Sequence, residues 1–190
     1  LITAILNALV AAYIFSLVPE FLMRFLAWIL IQTVHRVKVV DGERIPTEGA
    51  AVLVCNHVSY VDAIVIMAAS PRPIRFVMDH RIFKMPLMGW IFRTAKAIPI
   101  APAKEDPFLM EKAFIDIAQA LHEGELVCIF PEGKLTRTGQ ISEFKGGIAK
   151  IVERSKVPVI PLALRGLWGH LLSHRNGHLF ERAFKAGLRS

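Results

Sequence analysis

The sequence predicts an α/β domain, a mixed and mainly parallel sheet flanked by helices, preceded by a pair of hydrophobic helices at the N-terminus. After residue 35, short β-branched runs alternate with helical stretches, the pattern of a layered sheet-and-helix domain. Before it, residues 1–34 concentrate the apolar excess of the whole chain. The size sets the bound: 190 residues suffice for one domain with a proper core, and 54% apolar against 21% charged residues excludes disorder and low complexity.

In chain order, Leu1–Val18 carries no charge. As a helix it would be about 27 Å long, close to the roughly 30 Å hydrocarbon thickness and just enough to span it. Phe21–Val34 carries only Arg24 and would reach about 21 Å, which suits an interfacial or re-entrant helix. Pro19 and Glu20 mark a turn between them. The alternative, a helix pair buried against the domain's own core, is disfavoured because so little polar face would meet water. No basic segment precedes the first run, which disfavours a cleaved signal peptide. A start at Leu1 rather than Met is compatible with a piece of a longer fusion protein.

Residues 1–34 are therefore expected to form a membrane-associated unit and residues 35–190 the functional domain. Glu20 and Arg24 cancel, so the formal net charge of +7 belongs to residues 35–190. A basic body beside a greasy anchor is expected of a protein lying on anionic lipid. Nucleic acid, the other common anionic partner, is set aside because the chain has no RNP-like, helix-turn-helix or zinc-finger pattern. Cys55 and Cys128 sit inside apolar runs and read as small buried hydrophobes, which leans to a reducing compartment.

Strands are expected at Arg36–Val40, Ala51–Cys55, Ile74–Met78, Ala97–Ile100, Leu126–Phe130 and Val157–Leu164, with helices over 61–69, 81–95, 107–123 and 146–155. The helix over 107–123 is the most fully specified. Asp106 can cap it, Pro107 fits its first position, Gly124 follows its end, and Met110, Ala113, Phe114, Ile117, Ala120 and Leu121 form one core-facing stripe.

The first chemical constellation follows the strand AVLVC as NHVSYVD, placing Asn56 and His57 at a strand end and Asp62 at a helix start. Strand ends of α/β sheets are where ligands bind. On one straight helix a spacing of five leaves two residues about 140° apart, so His57 and Asp62 can meet only if a turn at 56–60 feeds a helix near Val61. Asp62 would then fix one imidazole nitrogen and leave the other to take a proton. No serine or cysteine at a strand-to-helix elbow completes a nucleophile triad, so the dyad suits chemistry in which the substrate supplies the hydroxyl. A histidine beside an unrelated capping aspartate is the bland alternative on spacing alone.

With Asn56 before it, the His-x-x-x-x-Asp of His57 and Asp62 resembles the glycerolipid acyltransferase family, which includes the 1-acylglycerol-3-phosphate acyltransferases. Phe130-Pro131-Glu132-Gly133 resembles that family's acceptor-binding block, and Val157-Pro158-Val159-Ile160-Pro161 its later Pro-containing strand block, all in the family's order over about residues 35–168. The N-terminal pair resembles the two-helix membrane motif of some bacterial members. The resemblance implies the glycerol-3-phosphate acyltransferase-like fold and transfer of a fatty acyl group from an acyl thioester, acyl-CoA or acyl carrier protein, to a lysophospholipid hydroxyl. His57 would be the general base and Asp62 its orienting partner. No resident cofactor or metal is implied, and the cytoplasmic face of a bacterial inner membrane is the expected location.

Two departures bear on the acceptor. Leu135 stands where the family's block carries arginine, which leaves Lys134 or Arg137 for any phosphate contact. Ala101 and Pro102 stand where the middle block carries Asp-Arg, which leaves Lys104 as the nearest cation. The expected substrate-binding set is therefore Asn56, Lys104, Phe130, Pro131, Glu132, Gly133, Lys134 and Arg137. The run from Lys134 to Gly139 looks closer to 2-acylglycerophosphoethanolamine acyltransferases, some of them domains of larger fusions. A non-catalytic lipid-binding module is the reading from another class, and the intact dyad argues against it. His170, His174 and His178 recur at helical spacing, but Asn176 and Gly177 break the helix and no acidic or cysteine ligand stands among them.

Overall fold

The computed structural model describes residues 1–17, 19–34 and 37–168, so the three spaced histidines lie outside the described residues. Two helices open the chain, α1 (Ile2–Leu17) and α2 (Pro19–Val34). The domain follows as β1 (Ala51–Cys55), α3 (Asp62–Ala69), β2 (Ile74–Asp79), α4 (Pro86–Thr94), β3 (Ile98–Ile100), α5 (Pro107–His122), β4 (Leu126–Ile129), α6 (Gly147–Arg154) and β5 (Val159–Leu162). The five strands form one sheet in the order β3-β2-β4-β1-β5, and every described pairing is parallel.

All-parallel strands need both faces covered, and this sheet is covered on both. Leu53 and Cys55 of β1 point to a core shared with Ala63 and Ile66 of α3, whereas Val52 points to the opposite core with Ala113, Phe114 and Ile117 of α5. That alternation follows from the two-residue period of a strand. The α5 termini are as expected: the Asp106 carboxylate accepts the Leu109 N–H at 2.8 Å, Pro107 opens the helix, and Gly124 takes φ +80° just past its end.

Two expectations are corrected. Val37–Val40 is not a strand; Val39 and Val40 are exposed rather than packed on a sheet face, and both edges of β1 are already taken by β4 and β5. The helix expected over 81–95 is split into a 3-10 segment, His80–Lys84, and α4. Met85 takes an extended backbone, φ −73° and ψ 128°, because the ring of Pro86 disfavours the helical region for the residue before it.

The N-terminal helices relate to the domain through one stripe of α2. Ala27 and Ile31 are buried, Ile31 against Val58, Val61 and Val65, while the Arg24 guanidinium donates to the Ser70 carbonyl at 2.7 Å. These contacts run α2 antiparallel along α3, ending beside the turn that carries His57. Its other faces, with Phe25, Leu26, Trp28 and Ile29, are exposed, as are Ile5, Leu6, Leu9 and Tyr13 of α1. At 16 residues α1 is about 24 Å long, and no helix among the described residues is long and apolar enough to cross a membrane.

Candidate active site

The site is built at the carboxyl edge of the sheet by the loops that leave two neighbouring strands. In the β1–β4 register Val54 lies opposite Ile129, so two chains leaving the sheet side by side bring residue 132 level with residue 57. The β1 exit carries Asn56 and His57, and the β4 exit carries Phe130–Gly133.

After Cys55 the chain turns through residues 56–61, and Asp62 is the first residue of α3. The spacing of five therefore works across a turn, because His57 precedes the helix. Asp62 is fully buried and closes the turn itself: one carboxylate oxygen, Oδ2, accepts the N–H of Val58 at 2.7 Å, the N–H of Ser59 at 3.0 Å and His57 Nδ1 at 2.8 Å. An ionised carboxylate only accepts, so the imidazole hydrogen sits on Nδ1 and Nε2 keeps its lone pair. The His57 side chain is 24% exposed, enough for a substrate group to reach that nitrogen.

The second loop holds the imidazole from the other side. The Phe130 ring stacks on it with centroids 4.2 Å apart, and the Thr136 N–H donates to the His57 carbonyl at 2.9 Å. Thr136 is itself buried, its hydroxyl donating to the Gln140 carbonyl at 2.6 Å and accepting from the Gly139 N–H at 3.1 Å. Gly133 takes φ +61°, a left-handed conformation that favours glycine, and an added Cβ there would meet the Lys145 ammonium at 2.6 Å.

The remaining expected residues divide by position. Pro131 is buried in the turn, whereas Lys134 and Arg137 are exposed on the same loop, with Lys145 beside them. Asn56 is engaged by backbone: its amide donates to the Leu164 carbonyl at 3.1 Å and accepts the Leu164 N–H at 2.8 Å, tying the β1 exit to the chain beyond β5. Glu132 is also turned inward, at 1% exposure, its carboxylate accepting backbone N–H groups of His57 and Ser142. Lys104 is exposed beyond β3, and β2 and β4 separate that strand from β1. Sequence reasoning missed Ser142 and Leu164, which enter the site through main-chain groups and carry no side-chain signal, and Thr136, which reaches His57 through its N–H while its hydroxyl is spent inside its own loop.

A residue range settles the family. The family described as Acyltransferase has a model that matches residues 36–165. The chain belongs to the acyltransferase family. Among similar curated proteins, the chain is 29% identical over 147 residues to a probable 1-acyl-sn-glycerol-3-phosphate acyltransferase of Mycoplasma pneumoniae, covering 74% of this chain and 53% of that one. It is 29% identical over 131 residues to a 1-acyl-sn-glycerol-3-phosphate acyltransferase of Bacillus subtilis, covering 68% and 63%. The chain thus spans about half to three-fifths of the length of these relatives. Among solved structures, the 1-acyl-sn-glycerophosphate acyltransferase of Thermotoga maritima shares the fold, with TM-score 0.60, 24% identity, and coverage of 71% of this chain and 52% of that one.

The two thiols of the domain are chemically quiet. Burial, with the Asp62 carboxylate adding to it, pushes the Cys55 thiol up to about 12, and burial pushes Cys128 well above its ordinary value. At pH 8 the Cys55 thiolate fraction is then about 10⁻⁴, and the thiolate is the reactive form. Iodoacetamide at pH 8 is expected to leave both cysteines unmodified in the folded protein and to modify both in denaturant, as read by intact mass. Rapid labelling of the native protein would contradict this placement.

Proposed function

We propose that this acyltransferase moves a fatty acyl group from an acyl thioester, carried by coenzyme A or acyl carrier protein, to the free hydroxyl of a lysophospholipid such as lysophosphatidate. The observation that carries the reading is the His57–Asp62 pair, aimed by a buried carboxylate and partly exposed, with no available nucleophile beside it among the described residues. Ser59 is fully buried and Cys55 is a buried, protonated thiol, so neither suits an acyl-enzyme step.

The chemistry closes without one. Nε2 takes the proton of the acceptor hydroxyl as its oxygen attacks the thioester carbonyl. Asp62 stabilises the imidazolium through Nδ1. The tetrahedral intermediate then collapses, the C–S bond breaks, and the leaving thiolate takes the proton back from Nε2. The donor is a co-substrate, and this route asks for no resident cofactor. Exposed Lys134, Arg137 and Lys145 on the adjoining loop supply positive charge for an anionic head group.

Membrane association is part of the same proposal. The exposed apolar faces of α1 and α2, next to a body that carries the net charge of +7, suit a helix pair lying in the interface of an anionic bilayer such as the cytoplasmic face of a bacterial inner membrane. The absence of arginine at Leu135 favours a second reading, an ethanolamine lysolipid as acceptor.

The test is acyl transfer in detergent, with labelled acyl-CoA and acyl carrier protein donors, offered lysophosphatidate and lysophosphatidylethanolamine in parallel. Turnover with lysophosphatidate supports phosphatidic acid synthesis. Preference for the ethanolamine lipid moves the assignment to phospholipid repair. Vesicle binding without transfer under any pairing would leave only a lipid-binding module.

A further inference from the structure

The Glu132 carboxylate is 1% exposed and both its oxygens are engaged: Oε1 accepts the His57 N–H at 2.9 Å, and Oε2 accepts the Ser142 N–H at 2.8 Å. Burying an ionised carboxylate is costly unless its lone pairs are used, and charge-assisted bonds to backbone amides are the strong kind. Here they join the loop of the catalytic base to two points of the β4 exit loop, ten residues apart. The same loop grips His57 through the Thr136 N–H on its carbonyl and through the Phe130 ring on its imidazole. The His57 peptide is thus bonded on its N–H and its C=O to one segment, and Glu132 is the charged member of that grip.

We propose that Glu132 is a positioning residue for His57 and makes no contact with the acceptor. This rests on the reading of His57 as general base. Head-group recognition then falls to the exposed members of the loop, while Glu132 sets where the base stands. The geometry also explains why glycine follows it. The chain must reverse at once, with φ +61° at Gly133, to leave the Glu132 side chain pointing back into the protein.

The test is Glu132→Gln, assayed with whichever donor and acceptor the wild-type enzyme turns over. One backbone N–H keeps an oxygen acceptor, while the other faces an NH2 group and loses its bond. A base displaced by about an ångström typically costs about 100-fold in rate. The expected result is therefore a fall in kcat of about 100-fold, corrected for folded fraction by thermal melting, with KM for the acceptor changed less than about twofold. A KM raised about tenfold or more with kcat retained would make Glu132 an acceptor contact and overturn the proposal, as would wild-type values of both. Site-resolved amide exchange on the wild-type protein keeps the question decidable if the variant does not fold. The His57 and Ser142 amides should be protected together, and exchange of either at the rate of an open loop overturns the grip. Absence of any wild-type acyl transfer would remove the proposed function and leave the exchange result to judge Glu132 alone.

Discussion

Replacing His57 with alanine is expected to lower kcat for acyl transfer by about 10²–10⁴-fold, the usual contribution of a positioned general base. Among the described residues the ring it removes is the imidazole at this strand end, with Nδ1 fixed by Asp62 at 2.8 Å and Nε2 left for a substrate hydroxyl. Folding should survive. The Asp62 carboxylate keeps the Val58 and Ser59 amides at 2.7 and 3.0 Å, so its charge is not stranded, and the backbone bonds from His57 to Glu132 and Thr136 do not depend on the side chain. The stability loss is then the stacking on Phe130, about 1 kcal/mol, and the hydrogen bond to the Asp62 carboxylate, about 1.5–3 kcal/mol. The decisive comparison sets turnover beside vesicle binding and the thermal midpoint. Lost turnover with the other two intact identifies the base, and near-normal turnover would take the dyad out of the mechanism.

The site was legible in the sequence to the extent that it is local. His57 and Asp62 cannot meet on one straight helix, which demands a turn between them, and the structure supplies it across residues 56–61 with α3 starting at Asp62. The α5 boundaries were legible because Asp106, Pro107 and Gly124 act within a few residues of themselves. What depended on the sheet order was hidden. Lys104 reads as a neighbour of the site along the chain, yet it follows the edge strand β3, two strands removed from β1. Glu132 reads as a substrate-binding acid of the acceptor block, and only the parallel β1–β4 pairing shows that it lies level with the His57 amide. The Asn56 side chain reads as a ligand-binding amide, whereas it is matched to the backbone of Leu164, 108 residues away. Pro86 is different, since its veto on a helical Met85 was local and readable, and the apolar run around it concealed the break.

Two substitutions at Asp62 separate the charge of that residue from its geometry. In Asp62→Asn the amide has one favourable orientation, because the site presents the Val58 and Ser59 N–H groups together with His57 Nδ1–H to a single acceptor. Turning the NH2 there would set donors against donors. The Asn oxygen therefore takes the Oδ2 position and preserves the Nδ1–H tautomer, so the negative charge opposite the imidazolium is lost, and the NH2 takes the buried Oδ1 position, which has no hydrogen-bond partner among the described residues. The expected fall in kcat is about 100-fold, smaller than the roughly 10⁴-fold seen when such a change also reverses the tautomer. Asp62→Ala removes the acceptor altogether and leaves the two amides without it in a buried turn, at about 1–3 kcal/mol each. Against a total stability of about 5–15 kcal/mol, that is a large fraction. Its thermal midpoint should fall by roughly 8–16 °C for about 4 kcal/mol in a chain of this size, with Asp62→Asn melting well above it. Wild-type turnover in the Asn variant would refute electrostatic support of the imidazolium, and equal melting of the two variants would refute the turn-closing role of Oδ2.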